Sequence, residues 1–323
     1  MTIAPHPPLD RPLRLGTRRS PLAMIQAEEA RATLCAAHGW PKSAVELVPV
    51  TASGDKVLDR PLAEIGGKAL WTKELDAWLL AGEIDFAVHS AKDVETIRPE
   101  GIAIAAVLAR EDVRDVLVLR QAQDQRKGPS GIAALPPGAR IGTSAPRRAA
   151  QALHLRPDCR VVSFRGNVAT RLAKLAAGEA DATLLAAAGL NRLGQSTVGT
   201  PLDPEVWLPA PAQGAIMIEC RSNDAGMREL LGTIDHPPSC HAVMAERALL
   251  AALGGNCHSA IGLLTRAEGD VLHMRAALFA PDGSMRVDGE ARFSAGDVAG
   301  PAALAADLLA RAIPEIRALF AAP

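Results

Sequence analysis

Residues 85–93 combine a short apolar run with polar side chains that could do chemistry. The run Phe86-Ala87-Val88 is typical of a strand that is buried on both faces of a sheet. Ligands bind at the carboxyl edge of open α/β sheets, and a carboxylate close to an ammonium group suits acid/base chemistry. Taken alone, the stretch more often marks a strand that runs into a polar turn, so the rest of the chain must decide. The polar side chains at its end are His89, Ser90, Lys92 and Asp93.

Apolar runs alternate with helical patterns through the first two thirds of the chain, which predicts parallel sheets with helices on both faces. A second α/β unit is predicted to begin near residue 112, and residues 121–130 are predicted to form a polar surface excursion. The predicted helices are 22–38 (capped by Ser20 and started by Pro21), 71–80, a segment after Ser144, 168–177 and 186–193. The predicted strands are 13–17, 45–50, 86–88, 102–108, 116–119, 140–144, 161–164, 182–185 and 215–219, the last returning to the first sheet.

The last third of the chain has a different pattern, which predicts a small α+β domain. A helix over residues 239–253 leads into a glycine loop that contains Cys257. Strands are predicted at 261–266, 271–279 and 284–293, with Pro281-Asp282-Gly283 as a hairpin turn. A helix over residues 302–320 is predicted to close the chain.

The composition of the 323 residues argues against several classes of function. The net charge is -1, so no bulk field attracts nucleic acid or a membrane surface. Tyrosine is absent and aromatic residues make up 3%, which disfavours stacking on single-stranded nucleic acid. The first 12 residues do not resemble a signal peptide, and no apolar run is long enough to span a membrane. With five scattered cysteines, we expect a cytoplasmic protein with reduced thiols.

Positively charged residues stand at three predicted helix starts, where the helix dipole favours acidic residues instead. Each exposed cation there costs a few tenths of a kcal/mol. One explanation is that each arginine pairs with a nearby Asp or Glu. Because all three sites follow strand-to-helix turns, we favour a polyanionic ligand in a cleft between the two α/β units, bound by helix N–H groups and guanidiniums. The residues are Arg18 and Arg19, then Arg147 and Arg148, then Arg165 and Arg171.

Cys257 allows several interpretations. It could form a nucleophile pair with the adjacent His258, or join Cys240 and His241 at a metal site, although the intervening helix would separate those pairs by about 20 Å. It could also attach a covalent group or be a buried loop thiol. The glycines at Gly66-Gly67-Lys68 lack the spacing of a phosphate-binding loop, and no dinucleotide fingerprint follows a strand.

Taken together, the ordered motifs resemble those of the porphobilinogen deaminase (hydroxymethylbilane synthase) family over nearly the whole chain. So many matches in order make the resemblance highly specific. The matching segments are Leu15-Gly16-Thr17-Arg18-Arg19-Ser20-Pro21-Leu22-Ala23, Gly54-Asp55-Lys56-Val57-Leu58-Asp59, Ile65-Gly66-Gly67-Lys68, Val88-His89-Ser90-Ala91-Lys92-Asp93-Val94, Arg110-Glu111-Asp112, Gly142-Thr143-Ser144 with Arg147-Arg148, Arg165-Gly166-Asn167-Val168, Gly189-Leu190-Asn191-Arg192-Leu193-Gly194 and Gln213-Gly214-Ala215.

The resemblance implies an α/β fold with two lobes like type II periplasmic binding proteins and a small C-terminal α+β domain. The implied domains are residues 12–110 with 212–234, residues 111–211, and residues 235–323. It also implies a dipyrromethane cofactor, made from the enzyme's own substrate and held by a thioether to the cysteine that matches Cys257. The resemblance also implies a monomer, whereas the expectation of no nucleic-acid or membrane partner comes from the charge and composition, and no metal is expected.

The family's reaction fits these residues. Porphobilinogen is a pyrrole with an aminomethyl arm and two carboxylate side chains. Loss of ammonia leaves an electrophilic azafulvene, which the free α-carbon of the growing polypyrrole chain attacks. After four additions, water releases the linear tetrapyrrole hydroxymethylbilane. The resemblance assigns Asp93 as general acid/base, holding pyrrole N–H groups and stabilising positive charge.

The same resemblance assigns a set of residues to the carboxylates and polar groups of substrate and cofactor. These are Arg18, Arg19, Ser20, Lys68, Ser90, Lys92, Thr143, Ser144, Arg147, Arg148, Arg165, Gly166, Asn167, Arg171, Arg192 and Gln213.

Some positions depart from the family pattern. Ala145, followed by Pro146, replaces a frequent serine, so one cofactor hydrogen bond is expected to be missing or supplied by the backbone. Trp71 replaces phenylalanine as an aromatic lid, and Ala91 replaces methionine. Ala212 replaces glycine, which predicts a stiffer hinge.

Three other classes of protein remain as alternatives. A non-enzymatic two-lobed protein that binds a small anion would lack a use for the cysteine loop. The effector domain of a transcription regulator would need a DNA-binding helix-turn-helix, which no segment supplies. A cysteine hydrolase would keep Cys257 free for alkylation, whereas the deaminase family implies that it is blocked.

Overall fold

The computed structural model describes residues 11–50, 72–120, 131–256 and 259–320. The chain divides into two compact units, the first formed by Met1–Glu111 with Ala215–Val243 and the second by Asp112–Gly214 with Met244–Pro323. The finer division into three domains stays a prediction. The predicted excursion at 121–130 and the glycine loop at 66–68 lie outside the described residues.

The first unit contains a five-stranded mixed sheet in the order β2-β1-β3-β10-β4. Strand β1 runs parallel to β2 and β3, whereas β10 runs antiparallel to both β3 and β4. The predicted return of β10 to this sheet is therefore confirmed. The strands are β1 (Leu13–Arg18), β2 (Val45–Val50), β3 (Phe86–Ser90), β4 (Ile102–Val107) and β10 (Ile216–Arg221).

Helices cover both faces of this sheet, as predicted. One face packs α1 (Pro21–His38) and α6 (Ala225–Gly232) in a cluster with the buried strand residues Leu15 and Phe86. The other face packs α2 (Lys73–Leu80). The start of α1 confirms the sequence signals, since the hydroxyl of Ser20 accepts a hydrogen bond from the third helical residue and proline occupies the first position.

The second unit contains another five-stranded mixed sheet, in the order β7-β6-β8-β5-β9. Strand β6 runs parallel to β7 and β8, and β5 runs antiparallel to β8 and β9. Its helices are α3 (Pro146–Leu155), α4 (Val168–Ala176) and α5 (Ala187–Arg192). Its strands are β5 (Asp115–Leu119), β6 (Arg140–Gly142), β7 (Arg160–Val162), β8 (Ala182–Ala186) and β9 (Thr200–Pro201).

The prediction of parallel sheets is only partly correct, because one internal strand of each sheet is antiparallel. A parallel direction follows when a crossover helix returns the chain to the same end of the sheet. Residues 108–215 separate β4 from β10, so no such crossover connects β10 to its neighbours. Strand β5 enters the second sheet directly from the first unit, and several elements separate it in the chain from its neighbours β8 and β9, so no single crossover helix connects it to β8.

The C-terminal part is an α+β domain with an antiparallel sheet in the order β11-β12-β13, as predicted. Its elements are α7 (Pro237–Leu253), β11 (Ile261–Glu268), β12 (Val271–Phe279), β13 (Arg286–Ser294), α8 (Ala299–Arg311) and α9 (Pro314–Arg317). The single closing helix predicted at 302–320 is wrong, since Pro314 divides it. A proline has no N–H to donate and its ring disrupts the preceding turn, so it starts α9 instead.

Among the described residues, every helix is too short or too polar to cross a membrane.

Ala212 is the one described residue other than glycine with a positive φ, at 57°. Its Cβ disfavours this left-handed conformation by about 1–2 kcal/mol. Its side chain is buried, and its N–H donates to Oε2 of the buried Glu246 at 2.6 Å. The hydrogen bond therefore helps to hold a backbone conformation that glycine would adopt more readily.

We expect Ala212→Gly to raise the free energy of unfolding by up to about 1 kcal/mol, because relief of backbone strain exceeds the added chain entropy of glycine. Urea denaturation measures the change. Gly214, with φ 87°, provides the matched opposite, and Gly214→Ala is expected to lower stability. A decrease of 1 kcal/mol or more in the free energy of unfolding of Ala212→Gly would contradict the inferred backbone strain.

Candidate functional site

Strand β3 and the turn after it place Asp93 at the carboxyl edge of the first sheet. Phe86 and Val88 are buried, and Ser90, at the end of the strand, is half-buried. The chain then enters a single 3-10 turn at Ala91–Asp93, which Ala91 anchors by donating to the carbonyl of Ala215 at 3.0 Å. The predicted arrangement, a buried strand that delivers polar side chains to this edge, is confirmed.

A cavity of about 60 Å³ opens at this edge within the first unit. Strand β1 contributes Arg18 to its lining and the start of α1 contributes Ser20, because β1 and β3 are parallel and end at the same edge. A guanidinium, a carboxylate and the three hydroxyl-bearing residues Ser20, Thr72 and Ser90 therefore share one small space. The predicted site residues that it brings together are Arg18, Ser20, Ser90 and Asp93.

Sequence reasoning missed Gln26, which also lines this cavity. Its side chain is 4% exposed, donates from Nε2 to the hydroxyl oxygen of Ser90 at 2.9 Å and accepts from that hydroxyl at 3.0 Å. The amide thereby fixes Ser90. A signal was present, because Gln26 is a polar residue on the face of α1 that carries Ala23, Ala27 and Ala30.

The two remaining predicted residues near this edge are less enclosed. Lys92 is half-buried in the turn beside Asp93. Arg19 is exposed and donates to the carbonyl of Pro49 at 3.2 Å. The cavity described above does not include either of them.

Beneath β3 lies a buried ionic network centred on Arg98, which bonds three carboxylates. Its Nε donates to Oε1 of the fully buried Glu219 at 2.8 Å, and its Nη2 donates to Asp76 at 2.5 Å. Nε2 of His89 lies 3.3 Å from Oε2 of Glu219. The third carboxylate is Glu95, at 2.6 Å. This network supports the strand that carries the candidate site.

Protonation of this network makes stability depend on pH. Burial alone would raise the pKa of Glu219, but His89 and Arg98 outweigh it and lower the pKa from 4.5 to about 2. A depressed pKa stabilises the fold above the unfolded value, and this contribution is lost as pH falls from 4.5 towards 2. Burial raises the pKa of Asp76, which partly offsets that loss.

The wild-type protein is expected to lose free energy of unfolding as the pH falls from 4.5 to 2. We expect this loss to be smaller by about 2–3 kcal/mol in Glu219→Gln. Urea unfolding at a series of pH values measures it. Glu100→Gln, which changes an exposed carboxylate of the same unit, is the matched control and should keep the wild-type slope. Equal slopes in all three proteins would show that Glu219 does not carry the effect.

In the second unit, Arg147 and Arg148 occupy the first turn of α3, as predicted. Both are 4% exposed, and both bond the carboxylate of the fully buried Asp115, at 2.8 and 2.7 Å. The alternative explanation, that each arginine pairs with a nearby Asp or Glu, is therefore correct in part, because both guanidiniums pair with the same single carboxylate. Their contact with substrate carboxylates stays a prediction.

The turn into α4 gathers a second set of predicted residues. Gly166 has φ 106°, and a Cβ there would come within 2.7 Å of Thr170, so glycine is required. Asn167 caps the helix by accepting from the N–H of Thr170 at 2.9 Å, and Nε of Arg171 donates to the carbonyl of Gly166 at 3.0 Å. Arg165 precedes this turn and is half-buried.

Two further predicted residues approach the same turn from the end of β6. The hydroxyl of Ser144 donates to the carbonyl of Phe164 at 2.7 Å. Thr143 is buried, and its hydroxyl oxygen accepts from the N–H of Ala145 at 3.2 Å. Ala145, the N-cap of α3, supplies no side-chain cap to that helix.

Arg192 and Gln213 complete the described set. Nη1 of Arg192 donates to the carbonyl of Gly214 at 3.2 Å. Gln213 is fully buried and donates to the carbonyl of Val113 at 2.7 Å and to Asp115 at 2.9 Å. Lys68, Trp71 and Cys257 lie outside the described residues.

The donors of the second unit suit a ligand with several carboxylates. Nε of Arg148 is buried, and no other described atom accepts its hydrogen. Its cluster also carries more positive than negative charge. A dipyrromethane, with carboxylates on each ring, is a group of this chemistry, so the residues present fit it.

The described residues offer no group of three His, Cys, Asp or Glu side chains that could hold a metal ion. Burial raises the pKa of the Cys240 thiol to about 11, which disfavours the thiolate that binds metals. The alternative metal site therefore gains no support from Cys240.

Two solved structures show only a distant similarity to the chain. The VFT2 domain of BvgS from Bordetella pertussis matches 69% of this chain and 85% of its own, with 18% identity and a TM-score of 0.41. An ancestral cationic amino acid solute binding protein matches 68% of this chain and 86% of its own, with 15% identity and a TM-score of 0.43.

Sequence comparison gives a much closer match. The family model described as "Porphobilinogen deaminase, dipyromethane cofactor binding domain" matches residues 13–229, and "Porphobilinogen deaminase, C-terminal domain" matches residues 240–313. A porphobilinogen deaminase of Sphingopyxis alaskensis is 56% identical over 97% of this chain and 98% of its own. One of Paracoccus denitrificans is 48% identical over 95% of each chain. The chain therefore belongs to the porphobilinogen deaminase family.

Proposed function

We propose that the protein is a hydroxymethylbilane synthase, a transferase that deaminates four porphobilinogen molecules, joins them head to tail and releases the linear product by hydrolysis. The observation that carries this proposal is the cavity in which Asp93 shares a space with Arg18 and Ser20. Porphobilinogen presents pyrrole and amine N–H groups together with carboxylates. A site for it needs both an acceptor and a cation, and the cavity supplies both within reach of a small ring.

Asp93 is the proposed catalytic residue. A carboxylate at the cavity wall accepts hydrogen bonds from pyrrole N–H groups and stabilises positive charge that develops on the ring as ammonia leaves. It also donates a proton to the departing amine and accepts the proton that the attacking α-carbon of the growing chain loses once the new carbon–carbon bond has formed. The hydrogen-bonded pair Gln26 and Ser90 lies beside it and orients the substrate.

The basic residues are proposed to bind carboxylates, because each added ring brings two of them. Arg18, Arg19 and Lys92 serve this role in the first unit, and Lys68 joins them as a prediction outside the described residues. Guanidiniums bind carboxylates through paired hydrogen bonds, which makes them the suitable residue type. In the second unit the proposed residues are Thr143, Ser144, Arg147, Arg148, Arg165, Gly166, Asn167, Arg171, Arg192 and Gln213.

The proposed cofactor is a dipyrromethane in thioether linkage to Cys257, which supplies the nucleophilic pyrrole carbon to which units are added. Support comes from the family description of a dipyrromethane-binding domain and from the donors of the second unit. We further propose that the protein is cytoplasmic and monomeric, with porphobilinogen and the growing chain as its partners and no nucleic acid or membrane partner.

Product formation tests the proposed function. The purified protein is incubated with porphobilinogen, and released ammonia and linear tetrapyrrole are both quantified. We expect four ammonia molecules for each tetrapyrrole released. A protein that binds porphobilinogen without releasing ammonia would instead be the two-lobed binding protein considered as the alternative.

A further inference from the structure

Asp115, the first residue of β5, lies at the centre of a buried polar cluster in the second unit. Its side chain is fully buried, and each of its oxygens accepts two hydrogen bonds. Oδ1 accepts from Arg148 Nη2 at 2.7 Å and from Gln213 Nε2 at 2.9 Å. Oδ2 is 2.8 Å from Arg147 Nη2 and accepts from Trp207 Nε1 at 2.8 Å.

Three of these donors belong to residues proposed to bind substrate or cofactor, and each is also held at a second point. Arg147 Nη1 donates to the carbonyl of Leu208 at 2.8 Å, and Arg148 Nη1 donates to the carbonyl of Leu184 at 2.9 Å. Gln213 donates also to a backbone carbonyl. Two anchors for each side chain leave little rotational freedom, and Asp115 is the anchor that all three share.

The cluster does not balance its charges, because one carboxylate faces two guanidiniums. Burial alone would raise the pKa of Asp115, but Arg147 and Arg148 outweigh it and hold that pKa well below its usual range. Burial lowers the pKa of Arg147, and the charge of Arg148 adds to that effect. An uncompensated buried cation is costly, so this cluster favours the arrival of one more anionic group.

We propose that Asp115 is a positioning residue that fixes Arg147, Arg148 and Gln213 and leaves their cluster with one positive charge for a carboxylate of the substrate or growing chain. The proposal rests on the proposed function. Asp115 acts through the arginines. Without Asp115 the two guanidiniums repel each other. Each is then held only by its hydrogen bond to a backbone carbonyl, which does not fix its orientation by itself.

Asp115→Asn tests this role, because it preserves shape while removing the charge. The matched control is Asp158→Asn, which changes a carboxylate of the same unit that bonds Arg156 at 2.7 Å near the surface. We expect the KM for porphobilinogen to rise at least tenfold in Asp115→Asn, with a smaller change in kcat. Apoprotein of this variant should also gain its covalent adduct at least tenfold more slowly, as followed by mass. The control should stay within twofold of wild type in both measurements.

A second substitution separates positioning from a merely structural role. Asp115→Asn/Arg148→Gln returns the cluster to one positive charge, so we expect the Tm to recover partly from that of Asp115→Asn. The KM should remain high, since a residue that binds carboxylate is gone. Recovery of Tm and KM together would overturn the proposal, and so would an unchanged KM in folded Asp115→Asn.

If Asp115→Asn does not fold, Trp207→Phe removes one of the four hydrogen bonds to Asp115 without changing charge. We expect a three- to tenfold rise in KM with kcat within twofold, and an unchanged KM would overturn the proposal. Wild-type ammonia release shows separately whether the proposed function holds. If the proposed function fails, the dicarboxylate glutarate becomes the probe. We expect glutarate to raise the Tm of the wild-type protein. An equal rise in Tm for Asp115→Asn, or for Trp207→Phe in its place, would overturn the proposal.

Discussion

Replacing Asp93 with asparagine is expected to lower kcat by about 10²–10⁴-fold, the range in which general acid/base groups contribute. Asparagine keeps the size of the side chain and one acceptor oxygen, but it neither carries a proton nor stabilises positive charge. The side chain is half-buried at the end of a short turn, so the substitution should leave the fold intact. Steady-state rates and the release of ammonia in a single turnover measure the effect.

Two companion variants make the Asp93 result specific. Glu100→Gln changes an exposed carboxylate seven positions further along the same connection and should retain wild-type kcat. Asp93→Glu keeps the charge and should recover part of the activity. A kcat for Asp93→Asn within threefold of wild type, in a folded protein, would remove Asp93 from the mechanism.

Replacing Cys257 with alanine is expected to abolish product formation altogether, because the chain then has no sulfur from which to extend the polypyrrole. The other described cysteines are buried or half-buried thiols, and burial raises the pKa of Cys220 and Cys240 to about 11. A raised pKa disfavours the thiolate that bonds carbon, so none should replace Cys257.

Cys240→Ala is the matched control for the cysteine variant. It removes a thiol from α7 and should keep both the covalent adduct and the activity. The readouts are tetrapyrrole release and protein mass after incubation with porphobilinogen. Full activity in Cys257→Ala would show that the attachment point lies elsewhere or that no covalent primer exists.

Local sequence signals predicted the elements that carry the candidate site. Ser20 and Pro21 fix the start of α1 because each satisfies a requirement of the first helical turn. The apolar run before His89 predicted a buried strand, and the structure places the polar residues after it at the sheet edge. The sequence likewise predicted the turn into α4. Gly166 adopts a positive φ that favours glycine, and Asn167 is one of the few residue types that cap a helix well.

Long-range contacts could not be predicted in the same way. Asp115 lies 32 residues from Arg147 and 98 from Gln213, and no local pattern shows that they meet. The antiparallel β10 and the pairing of Gln26 with Ser90 depend on how distant segments assemble. By contrast, Pro314 was visible in the sequence, and the prediction of one uninterrupted closing helix underestimated its effect on the backbone.

The intact mass of the denatured protein, with peptide mapping over Cys257, tests the central claim most directly. We predict an excess equal to two deaminated porphobilinogen units, located on Cys257 and absent from Cys257→Ala. Apoprotein should acquire the same excess on incubation with porphobilinogen. An unmodified Cys257 that alkylates freely and stays unmodified after that incubation would contradict the account and favour a binding protein.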